Sequence, residues 1–108
     1  MKPAVIYEVN LDIEAGVLEA YRHWLHTHVS EICALPGFTD AQVYEVLDPP
    51  PGAGRASLCV HYRLENAEAF QAYIRDHAPR LRAEGEARFG GRFHARRRVL
   101  LFNGDETC

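Results

Sequence analysis

Residues 56–64 read ASLCVHYRL, and this stretch decides the fold. Apolar and polar side chains alternate along it, with Leu58, Val60, Tyr62 and Leu64 as one set and Ser57, Cys59, His61 and Arg63 as the other. A period of two places the two sets on opposite faces of a strand. The sequence therefore predicts a sheet with one apolar face and one face that carries histidine and arginine.

The residues before this strand predict a hairpin, a helix and a first strand. The segment 48–55 (DPPPGAGR) contains three consecutive prolines and two glycines, which predict an exposed loop after a strand at Phe38–Leu47. Between Asp12, a predicted helix cap, and Leu35, apolar residues recur at intervals of three and four, which is typical of a buried helical face. Pro36 and Gly37 end that helix, and Pro3–Leu11 is the predicted first strand.

The residues after it predict a second helix and a last strand. Asn66 is the expected cap of a helix that runs to Gly90 and Gly91, with Pro79 either kinking it or starting a fresh turn. Arg92–Phe102 is the predicted fourth strand. We expect a single domain over residues 1–102 and a polar C-terminal tail at 103–108.

This order of elements, βαββαβ, is the ferredoxin-like α+β arrangement. Right-handed crossovers give a four-stranded antiparallel sheet of order 4-1-3-2 with two helices on one face. The uncovered face then carries Glu8 and Asn10 between flanking histidines and arginines, together with apolar Ile6 and Leu100. We expect a second copy of the chain to cover this mixed face as a homodimer.

Composition narrows the class of protein. The chain has 108 residues, 47% hydrophobic and 25% charged, with a formal net charge of -3, which is typical of one globular domain. We predict a cytoplasmic protein that neither enters a membrane nor binds nucleic acid, since it has no long apolar stretch and no aromatic-glycine motif for RNA. Cys33, Cys59 and Cys108 are unclustered, so we expect reduced thiols, with no metal site and no cofactor that the sequence can identify.

Four segments carry a family resemblance. They are residues 6–11 (IYEVNL), 35–38 (LPGF), 70–73 (FQAY), and 77–82 (HAPRLR) through 89–93 (FGGRF). With the layout above, residues 4–102 resemble the dimeric α/β-barrel superfamily, and within it a bacterial family known as a domain of unknown function. The resemblance implies two sheets facing each other around a cavity. It specifies little chemistry, because the superfamily includes antibiotic-biosynthesis monooxygenases, haem-degrading oxygenases, lactone isomerases and dehydratases.

The haem-degrading branch of that superfamily implies a further set of residues. Asn10 matches its asparagine on the first strand, Tyr73 stands near its tryptophan, and His77 follows one helical turn later. Haem degradation, or oxygenation without a cofactor, is therefore one alternative function.

The main candidate site lies on the uncovered face. His61 and His94 are the acid/base candidates, because imidazole titrates near neutral pH and both are predicted to lie near Glu8. The expected binding residues for an anionic or aromatic molecule are Asn10, Tyr44, Arg63, Arg96 and Arg98. The other interpretation is that these groups pair across a dimer interface in a non-catalytic binding or assembly module. The sequence leaves open whether the protein is an enzyme.

Two other histidine features stay outside that site. His77 lies on an apolar helical stripe, where a histidine usually bonds a backbone carbonyl. His23, His26 and His28 form an HxxHxH pattern on the first helix, which we interpret as a solvated face because no further ligand stands at a supporting spacing.

Overall fold

The protein is described from a computed structural model covering residues 2–108. It contains four strands and three α-helices in that range: β1 (Val5–Glu14), α1 (Leu18–Cys33), β2 (Phe38–Glu45), β3 (Arg55–Leu64), α2 (Ala67–Asp76), α3 (Ala78–Phe89) and β4 (Phe93–Leu101), with a 3₁₀ turn at Ala15–Val17 before α1. The strands form one antiparallel sheet of order β2-β3-β1-β4, which confirms the predicted topology. None of the helices described is long and apolar enough to cross a membrane.

The helices cover one face of the sheet and bury its apolar residues. Alternate residues of β1, from Val5 to Ile13, are buried, and so are Leu58, Val60, Tyr62 and Leu64 of β3. The Cα trace is only 18 Å thick along its shortest axis, consistent with two layers and no third. The opposite face of the sheet is thus left without a covering element from residues 2–108.

One boundary differs from the sequence prediction, and another decides between its two alternatives. Asp12 is part of β1 and does not cap α1, because β1 continues to Glu14 through pairing with β3 and β4. Pro79 does not kink a single helix: α2 ends at Asp76, and α3 starts afresh with Pro79 in its first turn.

The connections before and after the β2–β3 hairpin, from α1 to β2 and from β3 to α2, have the turn residues that the sequence predicts. The Asn66 side chain accepts a hydrogen bond from the amide of Ala69 (2.9 Å), which is the predicted cap of α2. Gly37 has φ +86°, and a Cβ there would lie 2.4 Å from the Cβ of Ala69. Only glycine therefore fits where α1 passes into β2.

Candidate functional site

The uncovered face of the sheet is a grid of polar side chains. In the observed register His61 lies opposite Glu8, Glu8 lies opposite Arg98, and Gln42 lies opposite His61. The next row across the four strands consists of Tyr44, Cys59, Asn10 and Arg96. The alternate side chains of β1, β3 and β4 that the sequence predicts for the uncovered face lie on that face. Tyr44 of β2 shares it, as expected.

Glu8 is the centre of this grid and is only 5% exposed, although no element covers the face. Its Oε1 accepts hydrogen bonds from Asn10 Nδ2 (2.8 Å) and Arg98 Nε (2.5 Å). Its Oε2 lies 2.8 Å from His61 Nε2. The bond from Arg98, supported by Asn10 and His61, outweighs the opposing effect of burial and lowers the pKa of Glu8 from 4.5 to about 2.

This arrangement gives Glu8 the role of a fixed anion. A carboxylate with so low a pKa is a poor proton acceptor near neutral pH, so Glu8 orients its neighbours and does not act as the base. Since an ionised carboxylate only accepts hydrogen bonds, His61 must donate from Nε2, which leaves Nδ1 as its other nitrogen. The edge of the His61 ring meets Tyr44, with centroids 5.4 Å apart. His61 is thus held in one orientation from two sides.

Cys59 completes this cluster. The alternation along β3 predicts that it shares the uncovered face with His61, but it is not among the predicted site residues. It is a free, buried cysteine, and burial, with the nearby charge of Glu8, raises the pKa of its thiol. A raised pKa disfavours the thiolate, so Cys59 is not an activated nucleophile.

A separate groove lies further along the same face. It has a volume of about 440 Å³, and its lining includes Asn10, Asp12, His94, Arg96 and the triple proline of residues 49–51. The proline segment, which the sequence predicted only as an exposed connection, forms one wall. Asp12 is held by Arg55 (2.9 Å), whereas Arg96 makes no ion pair with any residue from 2 to 108.

The structure therefore divides the predicted site into two parts. Glu8, His61 and Arg98 form the fixed cluster, with Tyr44 beside them, while His94 and Arg96 line the groove and Asn10 borders both. Arg63 lies on the same face but exposed, opposite Asp40 and away from the groove lining. Glu8 and His61 are neighbours, as expected. His94 does not lie beside Glu8, because its partner across the strands is Asp12.

A second cavity lies between the helices and the sheet. It is only about 40 Å³ and is lined mainly by buried aromatic rings, with His28, Arg82 and Arg97 among its polar residues. The Nδ1 of His28 is buried without a hydrogen-bond partner in the structure described, and its ring stacks on Trp24 with centroids 4.4 Å apart. Burial lowers the pKa of His28. Its predicted position on a solvated face is thus wrong, whereas His23 and His26 are exposed as expected.

His77 occupies the break between α2 and α3. Its amide donates to the carbonyl of Tyr73 (2.9 Å), and its own carbonyl accepts from Leu81 (3.2 Å). The ring is half-buried. The residue joins the two helices through its backbone.

Comparison with known families identifies the chain at family level. The sequence profile of a family described as a domain of unknown function, DUF4286, matches residues 4–101. The chain belongs to that family. No curated protein matches it significantly in sequence.

Several solved structures with the same fold have names that include monooxygenase, oxygenase or haem degrader. A Bacillus cereus protein inferred to be an antibiotic-biosynthesis monooxygenase superimposes with a TM-score of 0.67 at 15% identity, covering 98% of this chain and 99% of that one. The haem degrader MhuD of Mycobacterium tuberculosis, solved with two haems in its active site, gives a TM-score of 0.65 at 20% identity over 95% and 99%. SnoaB, a cofactor-independent oxygenase of Streptomyces nogalater, gives 0.56 at 14% identity over 97% and 96%. At these identities the likeness confirms the predicted ferredoxin-like fold of this DUF4286 chain and does not transfer an activity.

The residues of this family member do not fit haem in the way that the resemblance implied. Asn10 points to the uncovered face and bonds Glu8, whereas Tyr73 is buried on the helix side against Tyr7. The two residues therefore lie on opposite faces of the sheet. The cavity of about 40 Å³ holds a few water molecules at most, far below the roughly 300 Å³ at which small-molecule pockets begin.

Proposed function

We propose that the protein binds a small organic anion in the groove on the uncovered sheet face, with Arg96 holding the negative charge and His94 exchanging a proton with the bound molecule. The observation that carries this proposal is an arginine without an ion-pair partner, next to a histidine and an amide, in a groove of about 440 Å³. That volume is within the range of roughly 300–1,000 Å³ typical of small-molecule sites.

The chemistry of the groove suits a carboxylate next to a flat apolar body. The planar guanidinium of Arg96 forms paired hydrogen bonds with carboxylates, and Asn10 offers an amide on the adjacent strand. The proline wall adds rigid apolar surface at little entropic cost. His94 is exposed and has no hydrogen bond to another side chain within residues 2–108, so its ring is free to meet the ligand.

The proposal includes a second copy of the chain as the cover of this face. Ile6 and Leu100 face each other across β1 and β4 beside the charged rows, and Phe102 beyond them is 46% exposed. Burial of these apolar groups favours association, while the polar rows fix the register of the two sheets. We also propose a cytoplasmic location, which the free Cys33 and Cys59 support.

Calorimetric titration with salicylate as the probe tests the binding site. Arg96→Gln is expected to weaken binding about tenfold or more, because a charge-assisted hydrogen bond contributes roughly 1.5–3 kcal/mol. Arg80→Gln is the matched control, since this exposed arginine lies on α3 away from the groove. Equal losses in both variants would show a general effect of charge and contradict the proposal.

Light scattering tests whether a second copy of the chain covers the uncovered face. Leu100→Asp on the uncovered face is expected to convert a dimer to a monomer, while Ala87→Asp on the exposed surface of α3 leaves the dimer intact. A wild-type protein that is monomeric at all concentrations would contradict this part of the proposal.

Two variants distinguish an enzyme from a binding module. If His94 moves protons, His94→Ala abolishes turnover of a ligand that still binds. If the face only specifies dimer register, His61→Ala and His94→Ala both promote dissociation, and neither changes the affinity for salicylate.

A further inference from the structure

Three different metal-binding side chains meet in the fixed cluster. Cys59 and His61 are two residues apart on β3, so both point to the uncovered face, and Glu8 lies directly opposite His61 on β1. Their ligand atoms, one from each residue, all lie within 4.8 Å of one another. Asn10, opposite Cys59, occupies the fourth corner of this block.

The spacing of these atoms suits a tetrahedral ion. Bonds of about 2.0 Å to nitrogen or oxygen and 2.3 Å to sulfur place ligand atoms roughly 3.3–3.7 Å apart. His61 Nε2 and Glu8 Oε2 are 2.8 Å apart and joined by a hydrogen bond, so an ion inserted there requires only a small separation of the two groups. The sulfur needs a shift of about 1 Å at most, which side-chain rotation supplies.

The donor set selects the kind of ion. One thiol, one imidazole and one carboxylate favour a borderline-soft divalent cation over magnesium or calcium, which prefer oxygen ligands only. Three protein ligands with a fourth position left for water or a small molecule are characteristic of reactive zinc centres, whereas structural centres use four.

We propose that Glu8, Cys59 and His61 form a binding site for a divalent cation of the zinc type. Binding releases the thiol proton of Cys59 to solvent, while His61 binds as neutral imidazole through Nε2 with its ring proton on Nδ1. Arg98 is then the competitor of the ion for Glu8. Its side chain is 67% exposed in the single subunit and lies on the edge strand β4, so it can turn away from Glu8 when the ion binds. This site does not depend on a ligand in the groove, because Arg96 and His94 are not part of it.

Cobalt(II) titration of the full chain, without a histidine tag, tests the site. A thiolate ligand gives a sulfur-to-cobalt charge-transfer absorption, and addition of zinc removes it. We expect this absorption at one cobalt per chain in the wild type and in the Cys33→Ser/Cys108→Ser double variant, which leaves Cys59 as the only thiol. Cys59→Ser is expected to abolish it, and His61→Gln to weaken cobalt binding about tenfold or more.

Arg98→Gln provides a readout that an adventitious site would not show. Removal of the competing cation is expected to raise cobalt affinity about two- to fivefold, the upper part of the range for breaking one exposed ion pair. The His23→Gln/His26→Gln variant, which removes the exposed histidine pair of α1, is expected to bind as the wild type does.

Several results would overturn the proposal. They are the absence of the absorption in the wild type with excess cobalt, its survival in Cys59→Ser, unchanged affinity in Arg98→Gln, and a loss of binding in His23→Gln/His26→Gln. Circular dichroism of each variant checks that it is folded, and His61→Gln keeps the test decisive if Cys59→Ser does not fold.

Discussion

Replacement of Glu8 by glutamine removes the fixed charge at the centre of the uncovered face. Glutamine keeps the shape of the side chain and its capacity to accept a hydrogen bond from Asn10, but it loses the ionic bond with Arg98 and the negative charge to which His61 donates. The difference in stability therefore reports the charge of Glu8 rather than the volume of the side chain.

The magnitude follows from the pKa. A shift from 4.5 to about 2 corresponds to at most about 3–4 kcal/mol of stability, at about 1.4 kcal/mol per pH unit. Water screens the bond to Arg98, whose side chain is 67% exposed, so we expect about 2 kcal/mol. Because the pKa of Glu8 is lower in the folded state, this stability is fully present above pH 4.5 and is lost as the pH falls towards 2.

Urea unfolding of the wild type and Glu8→Gln measures this difference. Both proteins are compared at one protein concentration, with a chelator present so that no bound metal contributes. We expect the wild type to be more stable by about 2 kcal/mol at pH 7 and the gap to close below pH 4. Glu65→Gln is the control, because Glu65 is exposed and forms no ion pair in the part of the chain described. A gap below about 0.5 kcal/mol, or one that does not change with pH, would refute the reasoning.

Three further substitutions test other parts of the structure by thermal unfolding. Asn66→Ala removes the cap of α2 and is expected to cost about 1 kcal/mol; no loss would contradict the capping bond. Gly37→Ala is expected to cost at least about 2 kcal/mol, because it combines a positive φ with a contact at Ala69 that is too close; a neutral result would contradict the turn. His28→Phe keeps a ring on Trp24 and removes the buried nitrogen without a partner, so it is expected to be more stable than the wild type. The stability advantage of His28→Phe should grow as the pH falls below 6.5, because burial lowers the pKa of His28 in the folded wild type. The unfolded wild-type chain then binds a proton at His28, which the folded chain resists. A difference in stability that does not change with pH would contradict this prediction.

The alternation of β1 and β3 was sufficient to predict which side chains share a face. Glu8 and His61 were predicted to be neighbours because strand parity and sheet order follow from the period of two and from the rule for crossovers. The distance of 2.8 Å between His61 Nε2 and Glu8 Oε2 confirms that the two residues are neighbours. What the pattern could not predict is the register, which decides that Glu8 lies opposite His61 and Asp12 opposite His94.

Features that depend on long-range packing were beyond the sequence. Asp12 has the chemistry of a helix cap, but ladder hydrogen bonds on both sides keep it in β1, so tertiary pairing overrode local preference. His28 is polar and was assigned to solvent, yet Trp24 covers its ring and buries Nδ1. The triple proline at 49–51 was recognised as a loop, whereas its position beside the groove depends on the path of the whole hairpin.

The most direct test of the account is to locate where a small anion binds. Backbone NMR shifts during titration with benzoate, salicylate and succinate report this position residue by residue. The account predicts saturable shifts at Asn10, His94 and Arg96 for at least one probe, and their loss in Arg96→Gln. Shifts confined to the helix-side cavity around Trp24 and His28, or none with any probe, would contradict it.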